Sequence, residues 1–206
     1  GYSLLRFCNI VVEIKPDKGN RILMQSWGPC IYSATDFFIT SAGLIGTEKT
    51  ICAFQGYNPK RKPVFERAKF AMQYAKDINE WADILIKDNS GAYANSWLIG
   101  DTKTGEISRL ELRLNNHSLE KKKNGYFSGS NVADNLKILR QETNANNVDI
   151  RNSAVARRTR FEQLLNENNG KIDIEAAKKM LADHYDVYLK KENPSLWNGL
   201  AGGTFK

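Results

Sequence analysis

The chain has 206 residues, 41% of them hydrophobic and 26% charged, with a net charge of +7. That is long enough to bury a sizeable core and ordinary for a globular protein. No run of about 18 apolar residues occurs, which excludes a spanning helix of that kind, and Gly1-Tyr-Ser-Leu-Leu-Arg6 does not read as a signal peptide. In chain order, the first fifty residues read as strands. Asn9–Ile14 is rich in Ile and Val, Asp17-Lys-Gly-Asn20 is a turn, and Arg21–Trp27 returns. Phe37–Thr40 and Leu44–Phe54 flank the turn Ser41-Ala-Gly43. A polar loop, Asn58–Lys62, precedes a helix that starts near Pro63, because proline suits a first turn. Asp77 can cap a second helix through Ile86, with Ile78, Trp81, Ala82 and Leu85 on one face.

Residues 93–114 read as a hairpin. Asp101-Thr-Lys-Thr-Gly105 supplies its connection, and Leu110, Leu112 and Leu114 alternate with Arg109, Glu111 and Arg113 as in a half-buried strand. Trp97, Leu98 and Ile99 are expected to pack between layers. A short strand is expected near Tyr126–Ser128. Asn152 or Ser153 can cap a helix to about Leu165, and Asp173 can cap another carrying Ala176, Ala177, Met180 and Leu181. Strands, two helices, strands and two helices imply an α+β fold with antiparallel sheets. A four-layer αββα sandwich in a single domain over residues 1–206 satisfies that order.

The basic clusters are Lys60-Arg61-Lys62, Lys121-Lys122-Lys123 and Arg157-Arg158 with Arg160. Such patches can bind phosphates, but solvated faces and turns account for them and no nucleic-acid module accompanies them, so no nucleic-acid partner is expected. Cys8, Cys30 and Cys52 form no CxxC pair, and His117 and His184 are far apart, so no metal site is expected. No glycine-rich phosphate loop appears, and no cofactor is implied.

Five segments, in order, carry a resemblance. They are "IYSATDFFITSAGLIGTEKTI" (Ile31–Ile51), "FERAKFAMQYAKDINEWADIL" (Phe65–Leu85), "GAYANSWLIGDTKTGEISRLEL" (Gly91–Leu112), "GYFSGSNVADN" (Gly125–Asn135) and "NSAVARRTRFEQLL" (Asn152–Leu165). Together they resemble the phospholipase B-like proteins and their bacterial relatives, a group close to the acyl-CoA:isopenicillin N acyltransferase-like and choloylglycine-hydrolase-like enzymes. The resemblance runs from about Arg6 to Asn193 and implies an N-terminal-nucleophile hydrolase fold. Such enzymes cleave their own precursor to expose a cysteine, whose thiol attacks an amide or ester carbonyl with the new α-amino group as base. The implied substrate is a small acylated amide, an ester or a phospholipid.

Four site positions carry over by resemblance. Thr50 in "EKTI" matches the second threonine of the usual Glu-Thr-Thr-Ile and would line the nucleophile's pocket. Asn131 in "SGSN" matches an asparagine whose amide would face the oxyanion. Arg157, or Arg158 in a shifted register, matches an arginine near the nucleophile that would favour a thiolate. Asp36 in "ATDF" matches the second aspartate of Gly-Asp-Asp-Phe. Taken singly, Thr50 equally fits a strand threonine, Asn131 a turn residue, Arg157 a surface residue on an amphipathic helix, and Asp36 a turn cap.

The departures are as definite. The family's nucleophilic cysteine and its His-Asn-x-Trp segment match nothing in this chain, so a nucleophile-bearing N-terminal partner segment is implied and this chain alone is expected to be inactive. Cys8, Cys30 and Cys52 do not fall at the nucleophile's place. Lys49 stands for the first threonine, which would put a cation close to the site, and Thr35 stands for the first aspartate. A homologue that no longer reacts but binds anionic lipid or another acidic ligand is the alternative.

Overall fold

The computed structural model describes residues 9–27, 31, 37–144 and 146–193. They fall into two compact units, one within Gly1–Phe127 and Ala133–Asn144, the other within Ser128–Val132 and Ala145–Lys206. The fold is α+β with antiparallel sheets, as the element order implies.

The first unit is built on a seven-stranded antiparallel sheet whose strands lie side by side in chain order. They are β1 (Asn9–Ile14), β2 (Ile22–Trp27), β3 (Phe38–Thr40), β4 (Leu44–Thr50), β5 (Asn95–Asp101), β6 (Glu106–Leu112) and β7 (His117–Lys122). The longest insertion, between β4 and β5, holds α1 (Val64–Tyr74) and α2 (Ile78–Ile86). The β5–β6 turn is closed as its residues demand. Asp101 accepts the Lys103 N–H at 2.8 Å, Gly105 N–H reaches Asp101 O at 2.9 Å, and Gly105 takes a φ of 70°, a left-handed conformation that glycine adopts freely.

Helices α1 and α2 contribute to one core with one face of the sheet. Asp77 starts α2 by accepting the N–H groups of Asn79 and Glu80 at 2.8 and 2.9 Å. Alternation then puts Ile22, Met24, Phe38, Leu44, Trp97, Ile99, Leu110 and Leu112 in the core with Ala68, Ala71, Met72, Trp81 and Leu85. Trp81 stacks on Phe38 with centroids 4.6 Å apart and meets Trp97 edge-on at 5.8 Å. Gly46 is required here by space, because a Cβ on it would lie 2.0 Å from the Phe38 ring. Trp97 and Ile99 are buried as expected, whereas Leu98, one step out of phase, faces the other side of the sheet and is half-exposed.

Two expectations are corrected. No strand forms at Tyr126–Ser128; the seventh strand is β7, five residues after β6, and its sequence HSLEKK has only one aliphatic residue to signal it. More consequential are the charged positions along β6 and at Arg113 just past its end, which are not a solvated face. Glu111 and Arg113 are each 1% exposed. A buried charge needs hydrogen-bond partners, and each has them. Glu111 accepts the N–H groups of Asp134 and Asn135 at 2.8 and 2.6 Å. Burial pushes its carboxyl up against the pull of those two bonds. Arg113 donates to the carbonyls of Gly91 and Gly56, lies 5.0 Å from the Phe54 ring centroid, and approaches Glu142 at 3.8 Å. Arg109 pairs with Asp134 and, at 2.7 Å, with Glu120. Together they fasten to the sheet the segment that carries helix α3 (Leu136–Glu142), itself capped by Asn135. Ile51, Ala94, Ala133 and Ile138 close a smaller core there.

The second unit holds α4 (Ser153–Glu167), α5 (Ile174–Leu181) and the two-residue strands β8 (Tyr185–Asp186) and β9 (Lys191–Glu192). The expected caps are in place: Asn152 accepts from Ala154 N–H at 2.9 Å and Asp173 from Ala176 N–H at 2.8 Å.

Arg113→Ala should therefore lower the unfolding free energy by about 3–5 kcal/mol, because it strands the Glu142 charge and two carbonyls. Arg109→Ala, at the less buried end of the row, should cost clearly less. Urea denaturation of the two variants measures both, and an equal loss would contradict the burial argument.

Candidate functional site

Each unit carries one cluster of the carried-over residues. In the first, strand alternation puts Glu48 and Thr50 of β4 on the helix-facing side, and Thr50 is paired in register with Asn95 of β5. The Thr50 hydroxyl bonds to the Tyr93 hydroxyl. Tyr93 donates to Glu48 Oε1 at 3.0 Å, and Asn95 Nδ2 donates to Glu48 Oε2 at 2.7 Å. Glu48 and Asn95 are 7% and 1% exposed, so this is a buried polar chain around one carboxylate. The Asn95 Oδ1 atom is buried with no hydrogen-bond partner among the described residues.

Glu48, Tyr93 and Asn95 were not singled out from sequence. The signal was present, since a carboxylate at the third inward position of Leu44-Ile-Gly-Thr-Glu48 demands buried donors. Lys49 is corrected by the same alternation. It is paired with Ser96 on the opposite face of the sheet from Thr50, so its cation does not enter the Thr50 cluster. Asp36 and Thr35 lie outside the described residues, as do Cys8 and Cys30; Cys52, just beyond β4, is exposed and free.

In the second unit the structure brings Asn131 and Arg157 together. Arg157 Nη2 donates to Asn131 Oδ1 at 2.7 Å, and Arg157 Nε donates to Ser153 O at 3.2 Å, one turn back along α4. Asn131 has a φ of 65°, a left-handed conformation that asparagine tolerates better than most residues. Arg158, the other register, pairs with Glu162 at 3.2 Å along the same helix. One turn further, Arg160 forks onto both carboxylate oxygens of Asp183 at 2.9 and 2.7 Å and lies 4.8 Å from the Tyr185 ring centroid. That ties α4 to the segment leading into β8.

The basic run near β7 is less available than its sequence suggests. Lys121 pairs with Glu106 at 3.3 Å, and the Lys122 ammonium sits 3.9 Å from the Phe127 ring centroid. Among the described residues no three His, Cys, Asp or Glu side chains group as metal ligands, and no helix is long and apolar enough to cross a membrane.

Comparison with known proteins decides the family: residues 4–137 match the phospholipase B family model. The chain belongs to the phospholipase B family. It is 37% identical over 91 residues to phospholipase B-like 2 of Bos taurus, which covers 41% of this chain and 15% of that protein. It is 30% identical over 112 residues to phospholipase B-like 1 of Homo sapiens, covering 52% of this chain and 19% of that one. The chain thus spans less than a fifth of these relatives' length in the matched regions. Among solved structures it resembles a variant of conjugated bile acid hydrolase from Clostridium perfringens, with a TM-score of 0.55 at 14% identity, over 85% of this chain and 71% of that one. That likeness is one of fold, the N-terminal-nucleophile hydrolase fold, and the family is hydrolase-like.

Two measurements probe these clusters. Glu48→Gln leaves one oxygen where two donors converged, so Tyr93 or Asn95 loses its acceptor; a loss of about 1–3 kcal/mol is expected in denaturant melts. Asp183 feels burial, which raises its pKa, but the Arg160 fork, the Tyr185 N–H bond and the Arg160 charge together hold it below the ordinary carboxylate value. A depressed carboxylate adds stability that is fully present above the unfolded value, about 3.9, and is lost as pH falls through the lower native value. Acid titration followed by the circular dichroism of the helices should show that loss below about pH 4, and Asp183→Asn should flatten it while lowering stability at neutral pH.

Proposed function

We propose that this chain is part of an autoprocessed cysteine N-terminal-nucleophile hydrolase that cleaves amide or ester bonds of acylated substrates, with phospholipids as one substrate class. The nucleophile is supplied by a segment N-terminal to the matched region, and this chain alone is inactive. One observation carries the reading: Asn131 and Arg157, carried over by resemblance from two separate segments, meet at 2.7 Å. Family membership and the hydrolase fold support it. Arg157 lies beyond the residues matched by the family, so its place in the reading rests on that bond.

In the proposed chemistry the cysteine sulfur attacks the acyl carbonyl while the α-amino group takes the thiol proton. The carbonyl oxygen becomes an oxyanion and accepts hydrogen bonds from the Asn131 Nδ2H2 group. Collapse expels the amine or alcohol, which receives the proton from the α-ammonium group, and leaves a thioester. Water then attacks the thioester, releasing the acid and restoring the thiol. Thr50 and Asp36 are further candidates carried over by resemblance.

The alternative, binding of anionic lipid without reaction, is weakened because Lys121 and Lys122 are already engaged. The natural full-length protein should release fatty acid from phosphatidylcholine or amine from an N-acyl amide, and a thiol alkylating reagent should abolish that release. Asn131→Ala should lower kcat by about 100- to 1,000-fold. Turnover that survives alkylation, or an Asn131→Ala variant as fast as wild type, would sink the proposal. Salt-sensitive binding to phosphatidylserine vesicles with no turnover would favour the alternative.

A further inference from the structure

We infer that Arg157 is a positioning residue that acts through Asn131 rather than on the nucleophile: it fixes which end of the Asn131 amide is presented to substrate. This deepens the hydrolase reading and rests on it. A guanidinium has five N–H donors and no acceptor. The Asn131 atom 2.7 Å from Arg157 Nη2 is therefore the carbonyl oxygen, Oδ1. The amide is planar, so committing Oδ1 to Arg157 turns Nδ2H2 to the other side.

That commitment matters because an asparagine amide has two orientations of similar shape and opposite chemistry. One offers two N–H donors to a developing oxyanion; the other offers lone pairs that repel it. An orientation chosen before the reaction costs no reorganisation during it. The bond to a permanent cation is charge-assisted, and it polarises the amide so that its N–H groups donate more strongly.

Arg157 is itself held. Its Nε reaches back to Ser153 O at 3.2 Å, Asn152 caps the helix start, and Arg160 anchors the next turn to Asp183. The supporting group thus stands on a fixed helix, as a precise site needs. Asn131 needs both its side chain and its left-handed backbone at φ 65°; aspartate tolerates that backbone and keeps the acceptor, but has no N–H to offer.

The test uses the full-length protein. Arg157→Ala should lower kcat by about 100-fold with KM little changed, and the acidic limb of the kcat/KM profile should stay where it is. Arg157→Lys, which keeps a cationic donor, should recover part of the loss. The Asn131→Ala, Arg157→Ala double variant should be no slower than Asn131→Ala alone. Asn131→Asp should keep the wild-type melting temperature and lose activity. A shifted acidic limb in Arg157→Ala would mean that the arginine tunes the nucleophile, and additive losses would mean that it acts independently; either overturns the inference. A second readout stands apart from activity. The Asn131 side-chain amide protons, observed by NMR with labelled asparagine, should move towards free-amide shifts in Arg157→Ala and stay near wild type in Arg157→Lys. Unmoved resonances would overturn the positioning role. Absence of turnover in the wild type, with the resonances behaving as expected, would overturn the hydrolase reading alone.

Discussion

The first unit depends on one row of charges along β6 and just past its end. Arg109, Glu111 and Arg113 alternate with the leucines of the core and face the opposite way, yet two of the three are removed from water. Desolvating a charge costs several kcal/mol unless it is paired and its remaining hydrogen-bonding capacity is filled. The row therefore dictates what must lie over it. Glu111 needs donors and takes two backbone N–H groups ahead of α3; Arg113 needs acceptors and takes the carbonyls of Gly91 and Gly56. Glu142, at the end of α3, completes the arrangement by accepting from Asn115 and Asn116 at 3.2 and 2.7 Å while approaching Arg113. Segments remote in sequence are held by electrostatic demand where the apolar contact is small.

The same logic recurs in the α1–α2 layer. Arg67 is 2% exposed, and burial lowers its pKa to about 10. It donates to Lys62 O, Leu85 O and Asn89 Oδ1, so one cation ties the start of α1 to the end of α2 and to the loop before β5. Asn89 passes the connection on through its bond to Arg113 O at 2.8 Å. Two buried arginines are thus linked through one asparagine. The loop at Asn89–Gly91, which leads to Tyr93 and Asn95, is set by both. Such a network is costly to leave half satisfied, which favours a loop with few alternative conformations over one that samples many.

Much of this was legible. The turns at Asp17–Asn20 and Asp101–Gly105, the caps at Asp77, Asn152 and Asp173, and the apolar faces of α2 and β5 follow from local rules, and the structure has them. What was not legible is instructive in each case. The alternation of β6 correctly gave a strand and its core face, but a period of two says only that neighbours face opposite ways. It does not say that the opposite way is water. β7 carries one leucine among polar residues, and its strand state comes from pairing with β6 rather than from its own pattern. Helix α3 is seven residues long, too short for periodicity to declare it, although Asn135 is a normal cap. The Asn131–Arg157 contact spans 26 residues and no local rule could supply it. Resemblance nominated both residues, and the structure puts Arg157 beside Asn131.

The departures from the family pattern can be weighed by the same geometry. A substitution matters at a site through the face it occupies more than through its distance along the chain. Lys49 is adjacent to Thr50 in sequence and, read as a string, places a positive charge beside a pocket residue. On a strand, adjacency means opposition. The inward positions of β4 run Leu44, Gly46, Glu48 and Thr50, and the lysine belongs to the outward set with Ile45 and Thr47. The buried chain from Thr50 through Tyr93 to Glu48 is therefore intact as a hydrogen-bonded unit despite the change next door. Glu48 holds both its donors, Tyr93 and Asn95, with the lysine on the other face of the strand.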